Sequence, residues 1–416
     1  MHFSAFGDKF ARESGIVSLM GDLGDALRVN PQMLFLGGGN PARIPAVEAA
    51  LHDALQQVLA DPEQAHHMLG VYQPPQGDPE LLDELAALLN REYQWGLTRA
   101  NLALANGSQS AFFVLFNLLA GIDAKGERRH IQLPLVPEYL GYSELGLCEG
   151  FFSASLPDIK FVAPDLFKYQ VNFSALTISE ATAALCVSRP TNPTGNVLTD
   201  TEMAVLDERA RQAGVPLIVD GAYGTPFPNI IFNHARASWN TNTVLVLSLS
   251  KLGLPGVRTA VVIADEELIT AFANANTVMS LAAGNLGPAL MRQLLASEQL
   301  LSLGRENVQP FYRARAEQSL AQVRQSFAGL PYRLHVPEGA IFLWLWFEGL
   351  PGGSESLYQR LKARGVLVIS GHHFFPGLNQ PWPHQHECLR LSYAQPIEVV
   401  SRALEILAEE VRGLYG

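Results

Sequence analysis

The feature that most limits how this chain can fold is a series of short apolar runs set between helix-like segments. Leu102–Ala105, Ala184–Val187, Leu217–Asp220, Val244–Leu247 and Ala260–Ala264 are apolar throughout, except for the aspartate that ends the third. Runs of this length suit strands buried on both faces, the pattern of a parallel sheet covered by helices. The segments between them carry helical periodicity. Leu81, Leu82, Leu85, Leu88 and Leu89 fall on one face of a helix over 79–94, and a Phe- and Leu-rich helix follows from Gln109. The last third changes character. A polar helix over 312–327 precedes strands over 332–336 and 340–347 that alternate like an antiparallel pair, then helices over 354–364 and 396–415. The reading is an α/β chain with a larger sheet domain over 46–300. A smaller α+β domain is made from 1–45 together with 301–416.

Composition narrows the function. The chain has 416 residues, 48% hydrophobic and 17% charged, enough for two well-buried units of unequal size. A net charge of −11, with no Lys/Arg run, leaves no electrostatic footprint for nucleic acid. The three cysteines have neither disulfide nor zinc spacing, which fits a reducing compartment. The segment MHFSAFGDKFARESG lacks the basic-then-apolar form of a signal peptide, and no apolar stretch has membrane length. The expectation is a cytoplasmic protein without nucleic-acid or membrane partners.

The chemistry sits at the strand ends. Ser248-Leu-Ser250-Lys251 follows a buried strand and reaches Arg258 seven residues after the lysine. A lysine there is desolvated, and only a neutral amine is nucleophilic. Asp220 ends another buried strand, where a carboxylate needs a cationic partner, and Tyr223 lies three residues on. Ser188-Arg-Pro-Thr-Asn192-Pro193-Thr-Gly195 is dense in turn formers, and Asn106-Gly107-Ser108-Gln109 opens a helix, where backbone N–H groups favour a phosphate. Taken singly, each has a plainer reading as a surface lysine, a turn-capping aspartate, a turn and a helix cap.

Their order and spacing together resemble the class I/II aminotransferases of pyridoxal-phosphate (PLP) fold type I. The stretches FGDKF, FLGGGNPA, NGSQSAFF, PEYLGY, SRPTNPTGN, SLSKLGLPG, EGAIFLWLWF and GHHFFPGL spread that resemblance over essentially the whole chain. It implies a mainly parallel seven-stranded sheet. It implies Lys251 as the residue that bonds the cofactor and shuttles the proton, and Asp220 as partner of the pyridinium. Asn192 and Tyr223 fall to the phenolic oxygen, with a cis bond before Pro193. Ser108, Gln109, Ser248, Ser250 and Arg258 fall to the phosphate, and Tyr139 to the ring face. Tyr72 matches a tyrosine that reaches the phosphate from a second subunit, implying a homodimer with shared sites. Arg390 matches the clamp for the substrate carboxylate, helped by Gly38 and Asn40 from the glycine-rich loop. His372 and His373 read as packing or pocket-lining residues, with no metal. The expected reaction is transamination between a small apolar amino acid such as valine or alanine and pyruvate or 2-oxoisovalerate. Other neutral or aromatic substrates, or a lyase or decarboxylase on the same scaffold, are the alternatives. A transcription regulator with such a domain needs a DNA-binding segment, for which there is no room before FGDKF.

Overall fold

Each apolar run becomes a strand. The computed structural model describes residues 2–11 and 15–416. In chain order its principal strands are β1 (Leu102–Ala105), β2 (Arg128–Leu133), β3 (Phe152–Ala154), β4 (Asp158–Ala163), β5 (Leu166–Gln170), β6 (Thr182–Ser188), β7 (Leu217–Asp220), β8 (Thr243–Ser248), β9 (Ala260–Ile263), β10 (Arg333–His335), β11 (Phe342–Trp346), β12 (Ile369–Ser370) and β13 (Cys388–Ser392). The larger sheet runs β1-β9-β8-β7-β6-β2, with β3 also paired to β2. A two-residue strand, Gly121–Ile122, extends it antiparallel beyond β2, so the seven expected strands become eight. Only β9 runs against its longer neighbours.

Every residue of β1 and of β6 to β9 is buried, which is why these runs carry no polar alternation. The register aligns their ends. Asp220 lies opposite Ser188 on one side and Val246 on the other, while Ser248 lies opposite Ala260, which faces Ala105. The carboxyl ends of β1, β6, β7 and β8 therefore share one edge of the sheet, the usual place for a ligand in an α/β fold.

Local chemistry sets the helix starts. The Asp78 carboxylate accepts the N–H groups of Glu80 (3.0 Å) and Leu81 (3.3 Å), and Pro79 opens the helix Pro79–Tyr93. Thr199 and Glu202 form a reciprocal capping box on the helix Asp200–Gln212. The helix Gly15–Val29, which the sequence pattern did not suggest, buries Leu19 and Leu23.

The second sheet runs β12-β13-β11-β10-β5-β4. Its hairpin β4–β5 comes from inside 46–300 and joins the later strands where Leu334 pairs with Leu166. Outside both sheets, an isolated antiparallel bridge pairs Ile231 with Gly339. Strand β11 is antiparallel to both neighbours as its composition suggested, yet it is buried along its whole length. Among the described residues no helix is long and apolar enough to cross a membrane.

Ile218 has no exposed surface at the centre of β7. Ile218→Ala should cost about 2–5 kcal/mol and lower the thermal midpoint. Leu118→Ala on the exposed side of the helix Ser108–Leu119 should change it by less than about 0.5 kcal/mol. A thermal melt of the two variants checks the difference.

Candidate active site

The shared strand edge opens into a cavity of about 250 Å³. Gly38, Ser108, Gln109, Tyr139, Asn192, Asp220, Tyr223, Ser248, Ser250, Lys251, Arg258 and Arg390 all line it, although they come from parts of the chain up to 352 residues apart (Gly38 to Arg390, 390 − 38).

Asp220 closes the inner end. Its Oδ2 accepts the Tyr142 hydroxyl at 2.8 Å and its Oδ1 accepts the Ala222 N–H at 2.9 Å. Burial pushes its pKa up, against those two donors and the charge of Lys251. No cation forms an ion pair with it among the described residues, so a buried carboxylate faces the cavity with only neutral donors. Beside it lies Glu138, fully buried. Its Oε1 accepts the Ser188 N–H (2.7 Å), and its Oε2 accepts the Ser188 hydroxyl (2.6 Å) and the Tyr139 N–H (3.1 Å). Burial raises its pKa to about 7.

Lys251 sits in the short turn after β8, and its Nζ donates to the Gly39 carbonyl at 2.6 Å. Burial, followed by the positive charges of Arg390 and Arg258, lowers its pKa to about 8. Arg390 lies at the middle of β13, flanked by Trp344 and Ile369. Its Nη1 donates to Asn192 Oδ1 (2.8 Å) and its Nη2 to the Gly37 carbonyl (2.6 Å), while its buried Nε has no partner. The guanidinium carbon lies 4.3 Å from the Phe342 ring centroid and 5.0 Å from that of Phe374. Burial holds its pKa down at about 10. The glycine-rich loop thus turns carbonyls, from Gly37 and Gly39, toward the two cations.

At the other end, Gly107 adopts φ 89° just before the helix Ser108–Leu119. A Cβ there would lie 2.2 Å from an Arg258 guanidinium nitrogen, so only glycine lets the arginine lie against the helix start. Ser108, Ser248, Ser250 and Arg258 converge on that end of the cavity, with the Ser248 hydroxyl accepting the Ser250 N–H at 3.1 Å. A carboxylate without a cation at one end and a glycine–serine–arginine cradle at a helix N-terminus at the other fit the pyridinium and phosphate of PLP.

Two expected residues lie elsewhere. Asn40 is exposed and borders a neighbouring cavity with Arg43 and Tyr312, because the chain turns outward after Gly39. Tyr72 is 79% exposed and outside this chain's own cavity. The cis bond expected before Pro193 is at Arg189–Pro190 instead, and the loop after it is closed by Thr191 N–H to Asn196 O (2.9 Å) and Gly195 N–H to Thr191 O (2.8 Å). Sequence reasoning missed Glu138, Tyr142 and the apolar wall residues Leu19 and Leu23. Glu138 left one trace, a carboxylate directly after the apolar Leu135-Val136-Pro137.

Residues 34–129 and 152–407 match the family described as Aminotransferase class I and II. The chain belongs to the class I and II aminotransferases. It is 50% identical over 411 residues to the valine–pyruvate aminotransferase of Escherichia coli K12, covering 99% of this chain and 98% of that one. The crystal structure of valine–pyruvate aminotransferase from Salmonella typhimurium LT2 superposes with a TM-score of 0.89 at 46% identity, over 96% of this chain and 99% of that one. An aspartate aminotransferase of Thermus thermophilus shares the fold at a TM-score of 0.78 and 20% identity, over 99% and 100% of the two chains. This aminotransferase is therefore a PLP-dependent enzyme of fold type I.

Two outcomes follow from the geometry. Gly107→Ala should displace Arg258 and weaken PLP binding by about 1.5–3 kcal/mol, roughly 10- to 100-fold, the worth of a hydrogen bond to a charged group. Equilibrium titration of the cofactor-free protein with PLP measures it. Burial and neighbouring cations disfavour the ammonium form of Lys251, so the neutral amine should grow in as pH rises through about 8, well below the ordinary lysine value of 10.5. The rate at which cofactor-free protein captures PLP should rise with that midpoint, and Arg258→Gln should move the midpoint upward by removing a positive charge.

Proposed function

We propose that this aminotransferase moves an amino group reversibly between a small apolar amino acid, valine or alanine, and a small 2-oxo acid, pyruvate or 2-oxoisovalerate. The observation that carries the reading is the cavity lining. Beyond Arg390 the described wall is apolar, made by Leu19, Leu23, Phe35 and Ile369, and its only cations are Lys251, Arg258 and Arg390. Each of these has a place in the cofactor or α-carboxylate chemistry, so among this chain's described lining residues no arginine is left for a substrate's second carboxylate. Arg189 points away, paired with Asp200 at 2.7 Å, and Arg43 is paired with Glu48 at 2.6 Å outside the cavity. The names of the Escherichia coli and Salmonella relatives support the same pair of substrates.

In this reading Ser108, Gln109, Ser248, Ser250 and Arg258 bind the cofactor phosphate, Tyr139 lies on its ring, and Asn192 and Tyr223 orient its phenolic oxygen. Bound PLP supplies an electron sink for charge developing at the substrate α-carbon. Asp220 holds the proton of the ring nitrogen. Arg390 grips the α-carboxylate with its planar fork, exchanging the Gly37 carbonyl and Asn192 for carboxylate oxygens. The N–H of Gly38 and the side chain of Asn40 assist once the glycine loop closes. Lys251, whose ammonium form its surroundings disfavour, would take the α-proton at Nζ. A second copy of the chain brings Tyr72 to the phosphate. The exposed apolar surface near it, including Leu69 and Val71, supports a homodimer. Residues 46–300 form the cofactor domain except for the hairpin β4–β5, which joins 1–45 and 301–416 in the smaller one, and the enzyme works in the cytoplasm.

An absorbance spectrum of the holoenzyme tests the substrate assignment. The bound-cofactor band should fall on adding L-valine and return on adding pyruvate, while L-aspartate leaves it nearly unchanged. A stronger response to aspartate than to valine would reject the assignment.

A further inference from the structure

We propose that Glu355, His372 and His373 form a binding site for a divalent transition metal, Zn²⁺ above all, separate from the substrate cavity. From sequence the two histidines lacked a third ligand. The fold supplies one, since Glu355 lies in the first turn of the helix Gly353–Ala363 and the histidines in the turn Gly371–Phe374 that follows β12. One ligand atom from each lies within 4.8 Å of the other two. Ligand atoms around a tetrahedral zinc, bonded at about 2.0–2.1 Å, stand roughly 3.3 Å apart. Side-chain rotation closes that gap, since Glu355 is exposed and both imidazoles are half-buried.

The surroundings of His372 are those of a held ligand. Its Nδ1 lies 2.8 Å from the Ser370 hydroxyl, itself 2.8 Å from the Ser354 hydroxyl, and both serines are buried. A metal-bound imidazole is commonly oriented this way through its second nitrogen, which leaves Nε2 for the metal. The rings of His372 and His373 lie 3.9 Å apart, and His386 stacks beside His372 at 5.7 Å. Burial, then the neighbouring histidines, lowers the pKa of His372 to about 4, and burial lowers that of His373. Two nitrogens and one carboxylate suit zinc better than magnesium or calcium, and leave a fourth position for water. The site also has a structural reach. Phe374 ends the same turn, its ring packs on Arg390, and its carbonyl accepts the Glu138 N–H at 2.8 Å, so a bound ion would brace the turn behind the arginine.

Calorimetric titration of Zn²⁺ into untagged holoenzyme tests the site independently of any substrate. The expected result is one saturable ion per chain, accompanied by a rise in thermal midpoint. His372→Ala, His373→Ala and Glu355→Gln should each weaken binding by at least about tenfold, the scale on which losing even an outer-shell partner shows. Glu355 is exposed, so its glutamine variant keeps the fold and tests the carboxylate alone. Absence of a saturable ion in the wild type overturns the proposal, and so does wild-type affinity in either His373→Ala or Glu355→Gln.

Discussion

A buried carboxylate at the end of the central strand is the constraint on which the rest of this structure depends. Asp220 is 8% exposed, between two other parallel strands, and its protein partners are a tyrosine hydroxyl and a backbone N–H. A charge placed so deep is costly without a cation. The cavity is where that cation can enter, and a pyridinium nitrogen is the cation the family brings. Much of the nearby architecture holds the carboxylate in place. Tyr142 is fully buried among Phe112, Phe116 and Phe152, which fixes the hydroxyl aimed at Asp220. Glu138 in turn fixes Ser188, which lies opposite Asp220 in the sheet.

The cations answer to the same economy of charge. Lys251 and Arg390 are both deep enough for burial to lower their pKa values, and each leans on a carbonyl of the glycine-rich loop. Burial, then the positive charges of Arg390 and Arg258, disfavour a proton on Lys251. The same field favours the two anions that the enzyme must hold, a phosphate and an α-carboxylate. One arrangement of charge thus both favours anions in the cavity and disfavours the ammonium form of Lys251.

What the sequence revealed follows from how local each signal is. Lys251, Asp220 and the Ser108 helix start lie at the ends of apolar runs, so short-range patterning exposed both the strand and the chemistry at its tip. Arg390 was legible only through family resemblance, because a strand arginine has no local mark of its role. Its partners Asn192 and Gly37 are 198 and 353 residues away. The hairpin β4–β5 was missed for a related reason. Most of β4 is exposed or half-buried and lacks a clean apolar run, and its sheet is completed by β10, more than 160 residues later. Asn40 and Tyr72 stand apart in the single chain, since a role for Tyr72 depends on a second copy and one for Asn40 on closure of a loop.

Substrate choice rests on pairings that lie outside the cavity as much as on its lining. Here Arg189 begins at the end of β6, close to the cofactor loop, yet its guanidinium is turned away. Its Nε donates to Leu198 O (2.7 Å), one terminal nitrogen to Arg236 O (3.0 Å) and the other to Asp200 (2.7 Å). With all three nitrogens engaged, reaching a substrate carboxylate would mean breaking three hydrogen bonds, two to carbonyls and one to a charged group, at about 1 kcal/mol or more each. The cavity wall is lined instead by hydrocarbon from Leu19 and Leu23, on the helix Gly15–Val29 near the start of the chain. The described cavity thus combines two features: Arg189 is occupied elsewhere, and an N-terminal helix supplies hydrocarbon to the wall.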